Sequence, residues 1–168
     1  KVCDLSFASS SQVACFPATS VEYFKGNQRF FALKDPMPPQ SKVTITAKPG
    51  AGVDVNLYGY MIGTTSFHVP PYVPSAVTCE AGFNASLSGA SNPGEPESIS
   101  FSNPTGNPYN LLFAVAGFGD AGTAGAFDVD VKVETAGPPF CPGSLPGAEY
   151  ATWPASVELL PLAPDNTA

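Results

Sequence analysis

The sequence predicts an all-β fold, a two-sheet antiparallel β-sandwich or jelly roll of about eight to ten strands. Short segments in which apolar and polar residues alternate recur along the chain, as expected of half-buried strands. The 19 prolines and 16 glycines are scattered between these segments and leave little room for long helices. With 168 residues, 43% of them hydrophobic and 12% charged, the chain is large and apolar enough to bury a core.

The clearest strand signal is the segment 126 to 134. Its apolar side chains fall at every second position, and charged side chains occupy the positions between them. The apolar members are Phe127, Val129, Val131 and Val133. This alternation predicts an antiparallel strand with one face on a core and one in solvent.

Two earlier segments, 42 to 48 and 53 to 61, alternate in the same way. The Pro-Gly-Ala-Gly sequence between them predicts a turn, so we expect a β-hairpin. Further strands are expected over residues 28 to 34, 75 to 80, 97 to 102 and 109 to 117. The last of these is apolar at nearly every position, which predicts a central strand covered on both faces.

The chain is expected to form a single domain with a core over residues 21 to 135. Residues 1 to 20 form an N-terminal extension, and residues 136 to 168 form a proline-rich connector followed by an extended segment. Both ends carry short amphipathic stretches that could pair with a sheet edge. Their apolar members are Leu5, Phe7, Val157 and Leu159. Pairing within the subunit would complete the sandwich, whereas pairing with a neighbour would build an oligomer or filament.

Four cysteines, an even number at wide spacings, predict disulfides and therefore an oxidising, extracellular or cell-surface location. They are Cys3, Cys15, Cys79 and Cys141, and three pairings can be drawn. We favour Cys3 with Cys15, which closes a local loop, and Cys79 with Cys141, which flank most of the predicted strands. The start at Lys1, without an initiator Met, is expected of a processed secretory product.

Charge and hydropathy argue against two classes of partner. The net charge of −7, with no cluster of basic residues, disfavours nucleic acid and anionic membrane surfaces. The longest apolar run, residues 111 to 119, is much shorter than the roughly 20 residues of a membrane-spanning helix. We therefore expect neither nucleic-acid binding nor a membrane span.

The order of strand signals from about residue 21 to 134 resembles the bacterial pre-peptidase C-terminal domain family. The features that match are Tyr23, Phe24, Arg29-Phe-Phe31, the KVTIT strand, Asp54 to Tyr58, Ser98 to Phe101, and the closing pair 109 to 117 and 125 to 133. The resemblance implies a non-catalytic sandwich that binds a substrate polymer and in some members calcium. The insertion at 62 to 74, the four cysteines and both extensions depart from the family pattern.

The chain offers no catalytic residues that the sequence can identify. His68 is the only histidine, and no G-x-S-x-G motif presents a nucleophile. Calcium is the one cofactor considered, with weak candidate ligands at Asp54, Asp120, Asp128 and Asp130. The alternative for Asp128 and Asp130 is an ordinary solvated sheet face, because Lys132 and Glu134 continue their row.

Aromatic side chains supply the remaining candidate site. Tyr60, Tyr72 and Trp153 are candidates for a surface that binds a sugar or another polymer, with core packing as the alternative. Taken together, the sequence predicts a non-catalytic, secreted or cell-surface structural protein that associates with identical subunits through β-edges. The alternative is an accessory module that binds collagen, polysaccharide or another extracellular polymer.

Overall fold

The computed structural model describes residues 23–65, 77–82, 93–119, 125–135 and 159–161, and these form eight β-strands. In chain order the strands are β1 Gln28–Leu33, β2 Ser41–Pro49, β3 Val55–Met61, β4 Thr78–Gly82, β5 Glu97–Asn103, β6 Leu111–Gly117, β7 Phe127–Thr135 and β8 Leu159–Pro161. No α-helix lies within these ranges. The predicted all-β class is confirmed.

The strands form two antiparallel sheets that pack face to face. The larger sheet has the order β4-β3-β6-β1-β8, and the smaller one has the order β5-β2-β7. Every ladder between neighbouring strands is antiparallel. This is the predicted β-sandwich.

The main core lies between the two sheets. It is built from the alternating inward side chains of both sheets, among them Val43, Ile45, Leu57, Phe101 and Phe113. A second cluster, including Phe30, Tyr58, Tyr60 and Leu112, is buried on the other face of the larger sheet. Strands β3 and β6 are consequently buried at every position, which confirms β6 as a central strand.

The predicted hairpin between β2 and β3 is wrong. The two strands lie in different sheets: β2 pairs with β5 and β7, and β3 pairs with β4 and β6. Strand β2 keeps a polar outer face, whereas β3 is covered on both faces. If the two strands were neighbours in one sheet, the polar side chains on the outer face of β2 would lie beside side chains of β3 that have to be buried.

The turn expected between β2 and β3 does form, and it carries the chain from one sheet to the other. The Val53 amide donates to the Gly50 carbonyl at 3.0 Å, and Gly52 has a φ of 74°. A positive φ at the third residue of a four-residue turn is the requirement that glycine meets most readily. Because residues 50 to 53 form this turn, β3 begins at Val55 rather than at residue 53.

Other boundaries differ from the predictions by a few residues. The expected strand over 75 to 80 is observed as Thr78–Gly82. The expected strand over 109 to 117 begins at Leu111, because Tyr109 instead forms an isolated bridge with Met37. Among the described residues, no helix is long and apolar enough to span a membrane.

Candidate assembly edge

Strand β7 forms one lateral edge of the smaller sheet. It pairs with β2 along its full nine residues, from Phe127 opposite Pro49 to Thr135 opposite Ser41. Among the described strands, none pairs with its other side. This confirms the half-buried antiparallel strand that the alternation predicted and shows that it lies at an edge.

The hydrogen-bond pattern shows which backbone groups face that open side. The Gly50 amide donates to the Ala126 carbonyl at 2.9 Å, so Ala126 is directed toward β2. Backbone groups alternate in direction along an antiparallel strand, so those of Val129, Val131 and Val133 point away from β2. Pro49 lies opposite Phe127 in a pair that exchanges no backbone hydrogen bonds. The missing amide hydrogen of the proline therefore costs the ladder no bond.

The apolar face of β7 is only partly covered. Phe127, Val129, Val131 and Val133 pack against the main core, yet each keeps an intermediate exposure. On the neighbouring strand β2, the inward-facing Val43 and Ile45 are both 0% exposed. The apolar row therefore becomes more exposed from the centre of the smaller sheet toward β7.

The outer face of β2 and β7 carries six charged residues that we call the charged strip. Its members are Lys42, Lys48, Lys132, Asp128, Asp130 and Glu134. Three lysines balance three carboxylates, although the chain as a whole has a net charge of −7. The strip is therefore locally neutral on an acidic protein.

Ion pairs organise the charged strip. Lys48 pairs with Asp130, and Lys132 Nζ lies 2.7 Å from Glu134 Oε1. The hydrogen bond to Asp130, its charge and that of Asp128 raise the pKa of Lys48. The Lys132 hydrogen bond and charge, with a contribution from Lys42, lower the pKa of Glu134. These side chains are exposed to solvent, so their pairs add little stability and act mainly as a charge pattern.

Strand β5 forms the opposite edge of the smaller sheet, and β4 of the larger sheet lies against it. A Cβ placed on Gly82 of β4 would lie 2.7 Å from the Ser98 carbonyl oxygen and 2.9 Å from Ile99 Cγ2. Strand β4 therefore lies directly against β5. On the outer face, Ser98 and Ser100 bond to Thr46 and Thr44 at 2.8 and 3.1 Å. Among the described strands, β5 therefore has β4 against it, whereas no strand lies beside the outer side of β7.

The terminal segments, which the sequence offered as assembly elements, are seen only in part. Leu159 lies in β8 and pairs with Leu33 of β1 in the same chain. This is the self-pairing arrangement, one of the two alternatives that the sequence left open. Leu5, Phe7 and Val157 lie outside the described residues.

The acidic residues proposed as calcium ligands do not form a metal site in the part of the chain that is described. Asp128 and Asp130 lie in the charged strip beside lysines, and Asp120 is outside the described ranges. Asp54 lines a separate cavity of about 100 Å³ with Gln28 and Arg29. No group of three or more His, Cys, Asp or Glu that could hold a metal ion occurs among the described residues.

Asp54 is nevertheless an unusual carboxylate. Its Oδ2 atom is buried and has no hydrogen-bond partner among the residues that the structure describes. Burial raises the pKa of Asp54, and a hydrogen bond from the Val55 amide opposes this effect. The side chain carries a desolvation cost that a neutral amide of the same shape would reduce.

Tyr60 is not a surface binding residue, which corrects the sequence-based prediction. Its side chain is 2% exposed and packs edge-to-face with Tyr58 at a centroid distance of 6.1 Å. The reason is that β3 lies inside the larger sheet and is covered on both faces. Tyr72 and Trp153 lie outside the described residues.

The disulfide prediction is left open by the described part of the chain. Cys79 lies in β4 opposite Tyr60, and it packs against the cluster on the outer face of the larger sheet. Cys3, Cys15 and Cys141 lie outside the described residues, as does His68. The pairing of Cys79 with Cys141 stays a prediction.

No family model, no curated protein and no solved structure matches this chain. The resemblance to the pre-peptidase C-terminal domain family therefore stays a prediction.

Sequence reasoning placed assembly at the termini and missed the β7 edge. The alternation of β7 was visible in the sequence, but alternation reports which face of a strand is buried and not whether a further strand pairs beside it.

Proposed function

We propose that the protein is a non-catalytic structural subunit of an extracellular or cell-surface assembly, built by contacts between sheet edges of identical chains. The observation that carries this proposal is β7, a regular nine-residue strand with a partly exposed apolar row and with no partner on one side among the described strands. An open edge of this length presents a template for another strand. Strand addition at such an edge is a common mode of protein association.

Two of the features that usually block edge pairing are absent from β7. It has no proline and no bulge in its ladder with β2, and its carboxylates lie beside lysines. The apolar row also remains partly exposed, although proteins generally minimise such surfaces unless they bind something. These observations favour an edge that is used over one that is protected.

The alternative function, binding to an extracellular polymer, rests on the family resemblance and on three candidate surface aromatics, Tyr60, Tyr72 and Trp153. Tyr60, the candidate that lies among the described residues, is 2% exposed, and its neighbour Tyr58 is 0% exposed. Surface aromatics are the usual platform for a carbohydrate or a fibrous polymer. Burial of Tyr60 therefore removes one of the three aromatic residues that supported polymer binding.

Sedimentation velocity of the intact, non-reduced protein over a hundredfold range of concentration tests the proposed function, together with electron microscopy of the undiluted sample. We expect oligomers or filaments that dissociate on dilution. A strictly monomeric protein would overturn the proposal. Retention of that monomer on collagen or an insoluble polysaccharide would replace it with the binding function.

A further inference from the structure

We propose that two copies of the chain pair β7 with β7 in antiparallel orientation, about a two-fold axis that passes through Val131. The two three-stranded sheets then form one continuous six-stranded sheet with the order β5-β2-β7-β7-β2-β5. This inference rests on the proposed function and names the edge and the partner that it requires. The partner is a second copy of this chain.

The backbone limits the registers that such a pair can adopt. The groups that point away from β2 are those of Val129, Val131 and Val133, so hydrogen-bonded pairs form only among these odd-numbered positions. Val131 is the midpoint of Phe127–Thr135. An axis at this residue lets residues 128 to 134 of β7 pair with the same segment of the second copy. It also keeps the valines of both copies on the core side of the sheet.

The charges of β7 are complementary at the centre of this register. With the axis at Val131, Asp130 of each copy lies opposite Lys132 of the other, which gives two ion pairs across the junction.

The remaining charges are compatible with this register. Asp128 would lie opposite Glu134 of the second copy, a pair of like charges. Each of them already lies beside a lysine of its own chain: Asp128 is opposite Lys48, and Glu134 is opposite Lys42 and bonded to Lys132. Because the charged strip is neutral, the net charge of −7 on each chain is not concentrated at this junction.

The apolar row supplies the second reason for pairing. In this register Val131 lies beside Val131 of the second copy, and Val129 lies beside Val133. These side chains are partly exposed in the single chain. Pairing would extend the apolar layer across the junction and cover them, which favours association through the hydrophobic effect.

Two charge-reversal variants of the full-length, non-reduced protein test this inference. Asp130→Lys and Lys132→Asp each replace both junction ion pairs with like charges. Sedimentation equilibrium is expected to show a dissociation constant raised about tenfold or more for either variant alone. An equimolar mixture is expected to recover association, because every junction pair in a mixed dimer again joins a lysine of one copy to an aspartate of the other.

A matched control is Asp35→Lys, which changes net charge by the same amount as Asp130→Lys at an exposed position outside the charged strip. We expect the dissociation constant of this variant to stay within about threefold of the wild-type value, because distant exposed charges are largely screened. Thermal unfolding of each variant shows whether the fold persists. Recovery in the mixture also requires folded chains, so it separates a lost contact from lost folding.

The outcomes separate the inference from the proposed function. A wild-type chain that stays monomeric would overturn both and would mean that the charges of β7 protect the edge. Oligomers that persist unchanged in both single variants would overturn the β7 pairing and leave assembly through another edge. Loss of association in each variant, without recovery in the mixture, would also overturn the proposed register.

Discussion

The ring of Phe101 occupies the space in which a side chain at Gly59 would begin. A Cβ built on Gly59 would lie 2.9 Å from Phe101 Cζ and 2.8 Å from the carbonyl oxygen of Leu112. Gly59 lies in β3 of the larger sheet, and Phe101 lies in β5 of the smaller one. The absence of a side chain at position 59 therefore lets the ring from the opposite sheet fill the core.

We expect Gly59→Ala to destabilise the protein by about 1–3 kcal/mol, because a methyl group would overpack a filled core and press on backbone. Urea unfolding followed by tryptophan fluorescence or circular dichroism measures the difference. Gly106→Ala is the control, since a Cβ at Gly106 meets nothing within 4 Å. An unchanged unfolding midpoint for Gly59→Ala would contradict the close packing of the two sheets at this point.

Asn103 organises the loop between β5 and β6. Its amide nitrogen donates to the carbonyls of Pro38 at 2.9 Å and Asn107 at 2.8 Å, and its oxygen accepts from the amide and hydroxyl of Thr105 at 3.1 and 2.7 Å. The side chain is 1% exposed. We expect Asn103→Ala to cost about 3 kcal/mol in unfolding free energy, because the buried carbonyls lose their donor.

Asn107→Ala is the matched control for that loop. The bonds at residue 107 use its backbone carbonyl and amide, and its side chain is exposed, so we expect a change within about 0.5 kcal/mol. Chemical denaturation of both variants under the same conditions provides the comparison. Equal losses of unfolding free energy in the two variants would show that the Asn103 side chain does not organise the loop.

The raised pKa of Asp54 predicts a pH-dependent effect of removing its charge. Burial disfavours the ionised form in the folded chain. The stability that Asp54 contributes is therefore present below the ordinary aspartate pKa of 3.8 and is lost as pH rises through the raised pKa of the folded chain. Asp54→Asn keeps an acceptor for the Val55 amide and is expected to be more stable than wild type at pH 7.

Unfolding curves of Asp54→Asn and wild type between pH 3 and pH 7 check this sign. The difference in unfolding free energy between the variant and wild type is expected to shrink toward zero near pH 3, where Asp54 is protonated in both the folded and unfolded chains. A variant that is less stable than wild type at pH 7 would show instead that the Asp54 charge makes a favourable interaction in the folded protein.

The predicted disulfides can be mapped directly. Peptide mass mapping without reduction is expected to recover one fragment that links Cys79 to Cys141 and another that links Cys3 to Cys15. A loop as long as the one between Cys79 and Cys141 is expected to contribute about 4 kcal/mol. Cys79→Ser with Cys141→Ser is therefore expected to lose more stability than Cys3→Ser with Cys15→Ser. Four reactive thiols in the freshly isolated protein would exclude both bridges.

The sequence alone was sufficient for the strands and for the faces of most of them. Alternation in the segment 126 to 134 predicted the half-buried β7, and the continuous apolar run from Leu111 predicted the central β6. Both inferences work because successive side chains of a strand point to opposite faces. The apolar or polar character of each residue therefore indicates whether its face is buried. The predicted strand boundaries were within a few residues where glycine and proline mark the turns.

The tertiary structure alone decided which strands are neighbours. The turn at Gly52 looked like a hairpin turn, yet it joins two sheets, because alternation does not distinguish a strand beside another from a strand across the core. Tyr60 looked like a surface aromatic until β3 was found between β4 and β6.

The position of β7 at the edge of the described part of its sheet was hidden in the sequence for the same reason. Val131 shows in the sequence that one face of its strand is apolar, but whether its backbone groups find a partner depends on pairing between segments far apart in the chain. Local patterning determined that this protein is a β-sandwich. Long-range pairing determined that, among the described strands, β7 lies at the edge of the smaller sheet.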